Sequence, residues 1–294
     1  MKILKKKIRK TELARLVLGF NPDLNKTLLA RYLNVSRDCL YEVLKLPCRD
    51  EIFKDELIEL MKQEPYYGHR RLAYQLNCNP KKTLRLMRKY ELRCRFRRPR
   101  FKYTKYQSSN TLVTNVLQDQ KPNRPNQYWS GDFTYIPYKS KFIYLAIQKD
   151  LFTREAVGYD IQFKHTEELI SNTIKSALQQ HKHPELSHSD QGSEYHSNTY
   201  QNLLKQANII CSMSAKASPW ENGYSEGFFS TFKLEFGNTS KYENEAELIS
   251  AIYRWIRYYN NQRIHTALKM SPVRFKQKWL RENQSKLHDI QDMV

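Results

Sequence analysis

Three consecutive runs, YWSGDFTYIPY (residues 128–138), KFIYLAIQKDLFT (141–153) and REAVGYDIQF (154–163), are dense in aromatic and β-branched residues and are parted by short polar turns. That composition suits pleated, half-buried backbone, so the pattern predicts three hairpin-linked strands. Downstream, HTEELISNTIKSALQQHK (165–182) reads as a helix and ELSHSDQG (185–192) as a strand end and turn. NTYQNLLKQAN (198–208) follows as a helix and IICSMS (209–214) as a short strand. Helices that alternate with strands imply an α/β sheet. YSEGFFSTFKLEF (224–236), NEAELISAIYRWIRYYNNQ (244–262) and SPVRFKQKWLREN (271–283) are helical by periodicity, the last begun by Ser271 as cap and Pro272 at the first helical position.

The part before the strands reads differently. LLARYLNVSRDCLYEVLK (28–45) sets Leu29, Leu33, Leu40, Val43 and Leu44 at helical spacing around a break at Asn34-Val35-Ser36, a helix-turn-helix pattern. Ser36 is placed to cap the second helix, which puts Arg37 at the end where a recognition helix meets bases or phosphates. EIFKDELIELMKQ (51–63), HRRLAYQLN (69–77) and KKTLRLMRKYEL (81–92) form a second helical unit whose last helix is rich in Lys and Arg. RCRFRRPRFKYTK (93–105) then holds seven basic residues and no acid, interleaved with Phe96, Phe101 and Tyr103. Such a segment fits a strand or linker laid along phosphates, with rings to stack, which makes Arg95, Arg97, Arg98, Arg100 and Lys102 candidate DNA contacts. The expected division is a basic tail and helix-turn-helix (1–50), a second helical unit (51–92), a basic linker (93–122), an α/β core (123–270) and a C-terminal helix (271–294).

The net charge of +20 points to a polyanionic partner, because Lys and Arg that neutralise phosphates release condensed counterions. The charge is uneven: residues 1–110 carry 28 basic and 11 acidic residues, and residues 111–294 carry 22 and 19. No apolar stretch approaches the roughly 18 residues that span a bilayer, and the basic N-terminus has no apolar run behind it, so no membrane role and a cytoplasmic location are expected. Five scattered cysteines, none within a CxxC spacing, suggest neither a disulfide framework nor a zinc clip.

Three acids stand apart from the 30 in the chain. Asp132 lies amid Tyr128, Trp129, Phe133, Tyr135 and Ile136, where a carboxylate is costly to bury without a partner. Asp190 sits at a strand end, two residues before Gly192, and strand ends are where open α/β sheets place their chemistry. Glu226 follows Asp190 by 36 positions on a helix, with Lys233 two turns further on the same face. Hard oxygen ligands from separate elements suit Mg²⁺ or Mn²⁺, and two such ions serve in-line displacement at phosphorus. Asp150 and Glu194 read as turn or supporting residues, and His181 and His183 as solvated loop histidines.

VSRDCLY, PYYGHRRLAYQL, WSGDFTYI, HSDQGSEYHS, SMSAKASPWENGYSEGFFSTFKLE and YYNNQRIHTALKMSP occur in that order, and the chain resembles the integrase-type transposases encoded by the second reading frame of bacterial insertion sequences. The resemblance implies a ribonuclease-H-like (integrase) core with a central mixed sheet behind an all-α helix-turn-helix region. It implies further that Asp132, Asp190 and Glu226 form the metal-binding triad and that Lys233 contacts DNA. Arg263 and His265 match the family pattern as DNA contacts or as braces of the last helices. Relatives often show Asp-Asn-Ala where this chain has Glu221-Asn222-Gly223, which makes Glu221 a competing acid, and no zinc-binding His-His-Cys-Cys module is visible. The implied reaction is hydrolytic cleavage at the element's end followed by attack of the freed 3′-hydroxyl on another phosphodiester. DNA ends and target, further copies of the chain and an upstream-frame protein or fusion are the implied partners. A hydrolytic nuclease of the same fold and a non-catalytic DNA-binding regulator are the rival readings.

Overall fold

The computed structural model describes residues 10–95, 121–214 and 223–283. Within these ranges, the side chains at 11, 12, 15, 39, 41–49 and 223–226 lie outside the description. The chain divides into two compact units, Met1–Arg97 and Arg98–Val294.

The first unit is helical. Asn25 caps α2 (Lys26–Leu33) after α1 (Lys10–Phe20), and Asn34 ends it in the left-handed conformation, at φ 51°. Ser36 then caps α3 (Arg37–Gln63), its Oγ accepting from the Asp38 N–H at 3.3 Å. The helix-turn-helix break therefore falls where the Asn-Val-Ser sequence puts it. The expected boundary at residue 50 instead lies inside α3, which runs on for 27 residues. Leu40, Phe53, Leu57 and Leu60 all lie buried along it, and no side-chain cap interrupts them. In α4 (His69–Gln75), Leu72 and Ala73 are buried, and Asn79 caps α5 (Pro80–Lys89). Asp50 joins α3 to α5, accepting from Arg85 at 2.6 and 2.9 Å and from Lys89 at 3.0 Å. Hydrogen bonds from Arg85 first, and then from Lys89, hold its carboxyl at about 2 despite burial. Two cations of the basic helix are thus spent on structure.

The second unit is a five-stranded mixed sheet in the order β3-β2-β1-β4-β5. Strands β1 (Tyr128–Tyr138), β2 (Lys141–Asp150) and β3 (Ala156–Gln162) are antiparallel neighbours, as their alternating sequence predicts. The chain then crosses the sheet through α6 (Glu167–Gln180), so β4 (Leu186–Ser189) pairs parallel to β1. After α7 (Asn198–Gln206), β5 (Ile210–Met213) pairs parallel to β4.

Both faces of the sheet are covered, which is why β2 reads as an almost unbroken apolar run. Neighbouring residues Ala146 and Ile147 point into different cores. Ala146 joins Trp129, Ile170, Ile174 and Tyr200 beneath α6 and α7. Gly158 lets α6 close on β3, since an added Cβ would lie 2.5 Å from the Thr173 carbonyl oxygen. Ile147 joins Ile136, Ile143 and Leu145 under α8 (Gly223–Phe236) and α9 (Glu245–Asn261). There Phe228, Phe232, Trp255 and Tyr259 meet edge to face, with Phe228 to Tyr259 centroids 4.8 Å apart. Such pairs add about 0.5–1.5 kcal/mol each beyond the area they bury.

The C-terminal helix, α10 (Pro272–Glu282), packs on this unit through Phe275 and Trp279 against Phe152. Lys276 pairs with Glu155 at 3.0 Å. Ser271 occupies its cap position, but its buried hydroxyl makes no capping bond. Among the described residues no helix is long and apolar enough to cross a membrane.

Candidate functional site at the β1–β4 strand ends

Strand pairing joins the strand that carries the first carboxylate to the strand that leads into the second. Ser130 of β1 stands opposite His188 of β4, and the strands are parallel. The pairing ends there: Asp132 lies two residues further along β1, and Asp190 two residues further along, in the turn that follows β4. Asp132 is half-buried, and its Oδ1 accepts from the Phe133 N–H at 2.8 Å. Asp190 follows the last residue of β4, and its Oδ1 accepts from the Gly192 N–H at 3.1 Å, which fixes the carboxylate in the turn. A Cβ on Gly192 would lie 3.1 Å from that oxygen, so glycine keeps the turn close.

Burial first, and then the charge of Glu194, raises the Asp190 carboxyl above its ordinary value, against the Gly192 hydrogen bond. Burial, then the charges of Asp132, Tyr200 and Asp190, holds the Tyr195 hydroxyl well above the usual phenol range. One phenol therefore feels both aspartates.

Glu226 lies on α8, one helical turn before Phe229, which is buried with Ile147 and Ile136. Ile147 stands opposite Asp132 across the β1–β2 pair, so α8 overlies the face that carries Asp132. The Glu226 side chain lies outside the described residues, as does Glu221. Among the described residues no group of three His, Cys, Asp or Glu is arranged to hold a metal ion.

The remaining candidates separate. Lys233 is exposed on α8, its Nζ 4.9 Å from the centre of the Tyr135 ring on β1. Arg37 is exposed at the first turn of α3, and Arg95 is exposed, its N–H donating to the Pro65 carbonyl at 2.9 Å. Arg97, Arg98, Arg100 and Lys102 lie outside the described residues. Arg263 is not a surface cation: its Nε and Nη2 each donate to Glu235 of α8 at 2.7 Å, and the two side chains are 7% and 6% exposed. A guanidinium so enclosed and doubly bonded braces helices and has no face left for phosphate. His265 is half-buried in a turn whose backbone bridges to Met270.

Asp150 is a turn residue, its carboxylate accepting from the Thr153 hydroxyl at 2.6 Å and from the Phe152 N–H at 3.2 Å. His181 is no solvated loop histidine. It contacts Lys276 at 3.2 Å, and burial, then that cation, lowers it to about 4. Glu194 is a supporting residue, as the sequence suggested, but its partner His165 escaped the sequence reading. Glu194 accepts from Ser193 at 3.0 Å and pairs with His165 Nδ1 at 2.9 Å, and the His165 ring lies beside Phe133 and Tyr144. No local signal marks His165, since its partner is 29 positions away.

A mixed sheet with a parallel β1–β4 pair thus carries Asp132 within β1 and Asp190 just after β4. Residues 122–219 and 207–272 each match the family described as Integrase core domain. The chain is 32% identical over 236 residues to the transposase for insertion sequence element IS904 of Lactococcus lactis, covering 76% of this chain and 93% of that protein. It is 31% identical to the insertion element IS600 31 kDa protein of Shigella sonnei (85% and 98% covered). It is 30% identical to transposase InsF for insertion sequence IS3A of Escherichia coli (72% and 77% covered). Among solved structures it is similar to the HTLV-2 integrase catalytic core domain in complex with magnesium, at TM-score 0.41 and 20% identity over 53% of this chain and 99% of that one. The chain belongs to the insertion-sequence transposases that carry an integrase core.

Proposed function

We propose that the chain cuts DNA at the ends of an insertion sequence and joins the freed 3′-hydroxyl to a second site, with Asp132, Asp190 and Glu226 holding two Mg²⁺ or Mn²⁺ ions. The observation that supports this reading is the parallel pairing of β1, which bears Asp132 on the face that α8 with Glu226 overlies, with β4, which leads into Asp190. The donor set suits hard divalent cations, which favour carboxylate oxygens and leave room for substrate phosphate. A cation beside Asp190 also offsets the burial that favours its protonated form.

Such ions supply the charge that activates an attacking hydroxyl and stabilises the leaving oxygen of a phosphodiester. The chain's own groups orient the ligands: the Phe133 N–H fixes one Asp132 oxygen and the Gly192 N–H one Asp190 oxygen. Lys233 and the exposed Arg37 and Arg95 offer positive charge to the DNA backbone.

Asp132→Asn, Asp190→Asn and Glu226→Gln each remove a ligand charge at little cost in bulk. Each is expected to abolish both cleavage and joining of end-bearing duplexes in Mg²⁺ while DNA binding persists. Appreciable activity in any one variant removes that residue from the triad. Cleavage without joining by the unaltered protein replaces this reading with that of a hydrolytic nuclease.

A further inference from the structure

Among the described residues no strand lies beside β1 on the β4 side beyond residue 130, since β4 pairs with it only over Tyr128–Ser130. Tyr135 stands on this stretch, three residues or about 10 Å along the strand from Asp132. Its ring is 57% exposed, and Phe142, on the neighbouring strand, is 50% exposed. The two rings meet edge to face at 5.5 Å and 88°. Two large aromatic side chains held together in water are costly where nothing covers them. The Lys233 ammonium rests over the Tyr135 ring at 4.9 Å, and no other described residue is its hydrogen-bond or ion-pair partner.

We infer that Tyr135 and Phe142 form a stacking shelf for an unpaired DNA base at the open edge of β1, on the sheet face opposite Asp132, with Lys233 binding the phosphate next to it. This rests on the reading of Asp132 as a site residue. The occupant follows from chemistry: an aromatic face and one adjacent cation match a nucleotide, which carries a π face and a phosphate. An apolar protein segment would leave the ammonium unmatched. A lysine over an exposed ring is weakly held, and phosphate is the stronger partner for it, so nucleotide binding moves the ammonium to the phosphate and opens the ring to the base. Stacking of this kind is tolerant of sequence. It fits a reaction whose ends must fray to reach a recessed pair of carboxylates.

The test uses the full chain without divalent metal, a short blunt duplex, and the same duplex with a few unpaired terminal nucleotides carrying 2-aminopurine. The forked duplex is expected to bind at least about fivefold more tightly than the blunt one, with quenching of the probe. Tyr135→Leu and Phe142→Leu should abolish the preference and the quenching but not binding to blunt duplex, and Tyr135→Trp should retain both. Asp132→Asn should keep the preference, which separates failure here from failure of the catalytic reading. Equal binding of the two duplexes by the unaltered protein overturns the proposal, whatever the variants do. So does a preference that survives in both Leu variants, or Leu variants that lose only self-association.

Discussion

Lys149 stands opposite Ser130 on the sheet face that carries Asp132, and it is buried. Burial first, and then the charges of Arg154 and Arg263, brings its ammonium from an ordinary 10.5 down to about 7. The unfolded chain keeps this proton to about 10.5, so between pH 7 and that value it binds more protons than the folded one. Stability from this residue must then rise with pH across that window, by up to about 1.4 kcal/mol per pH unit. Urea unfolding at pH 7 and pH 9 should show the rise, and Lys149→Met should flatten it. An equal slope in the variant would assign the pH dependence elsewhere. Nothing in the local sequence QKDLFT separates this lysine from a surface one, because its burial depends on what packs over the sheet.

At the scale of elements, α8 is where the site and the core meet. Its phenylalanines hold it to the sheet, and Glu235, nine residues beyond Glu226, ties it to the segment after α9 through Arg263. Breaking a buried pair leaves one charge uncompensated, so Arg263→Ala is expected to cost about 3–5 kcal/mol in chemical denaturation. Arg263→Met combined with Glu235→Leu should recover most of that loss, since both charges leave together. A single substitution costing less than about 1 kcal/mol would show that the pair does not hold α8. The family pattern singles out Arg263 but cannot distinguish a brace from a DNA contact, because the decisive partner lies 28 positions earlier.

For the whole molecule, charge divides the labour: the basic excess is concentrated in residues 1–110, ahead of a nearly balanced catalytic core. Replacing Arg95, Arg97, Arg98 and Arg100 together with Gln should weaken binding to all duplex sequences alike. It should also flatten the dependence of log K on log salt, by up to about 0.9 per lost phosphate contact. A salt titration with an unchanged slope would remove these arginines from the phosphate interface. Hydrophobic periodicity, turn residues and caps are local properties, and so the sequence by itself determined the three hairpin strands, the break at Asn34-Val35-Ser36, the alternating α/β order, Asp132 within the first strand and Asp190 at the end of a later one. Partners distant in the chain were decided by the tertiary structure alone. Parallel pairing joins β4, which leads into Asp190, to β1, which carries Asp132, and packing encloses Arg263 and Lys149 while leaving Tyr135 and Phe142 in solvent. The physical reason is that a side chain's charge state and its access to DNA depend on what closes around it, and that is a sum over contacts which no local pattern contains.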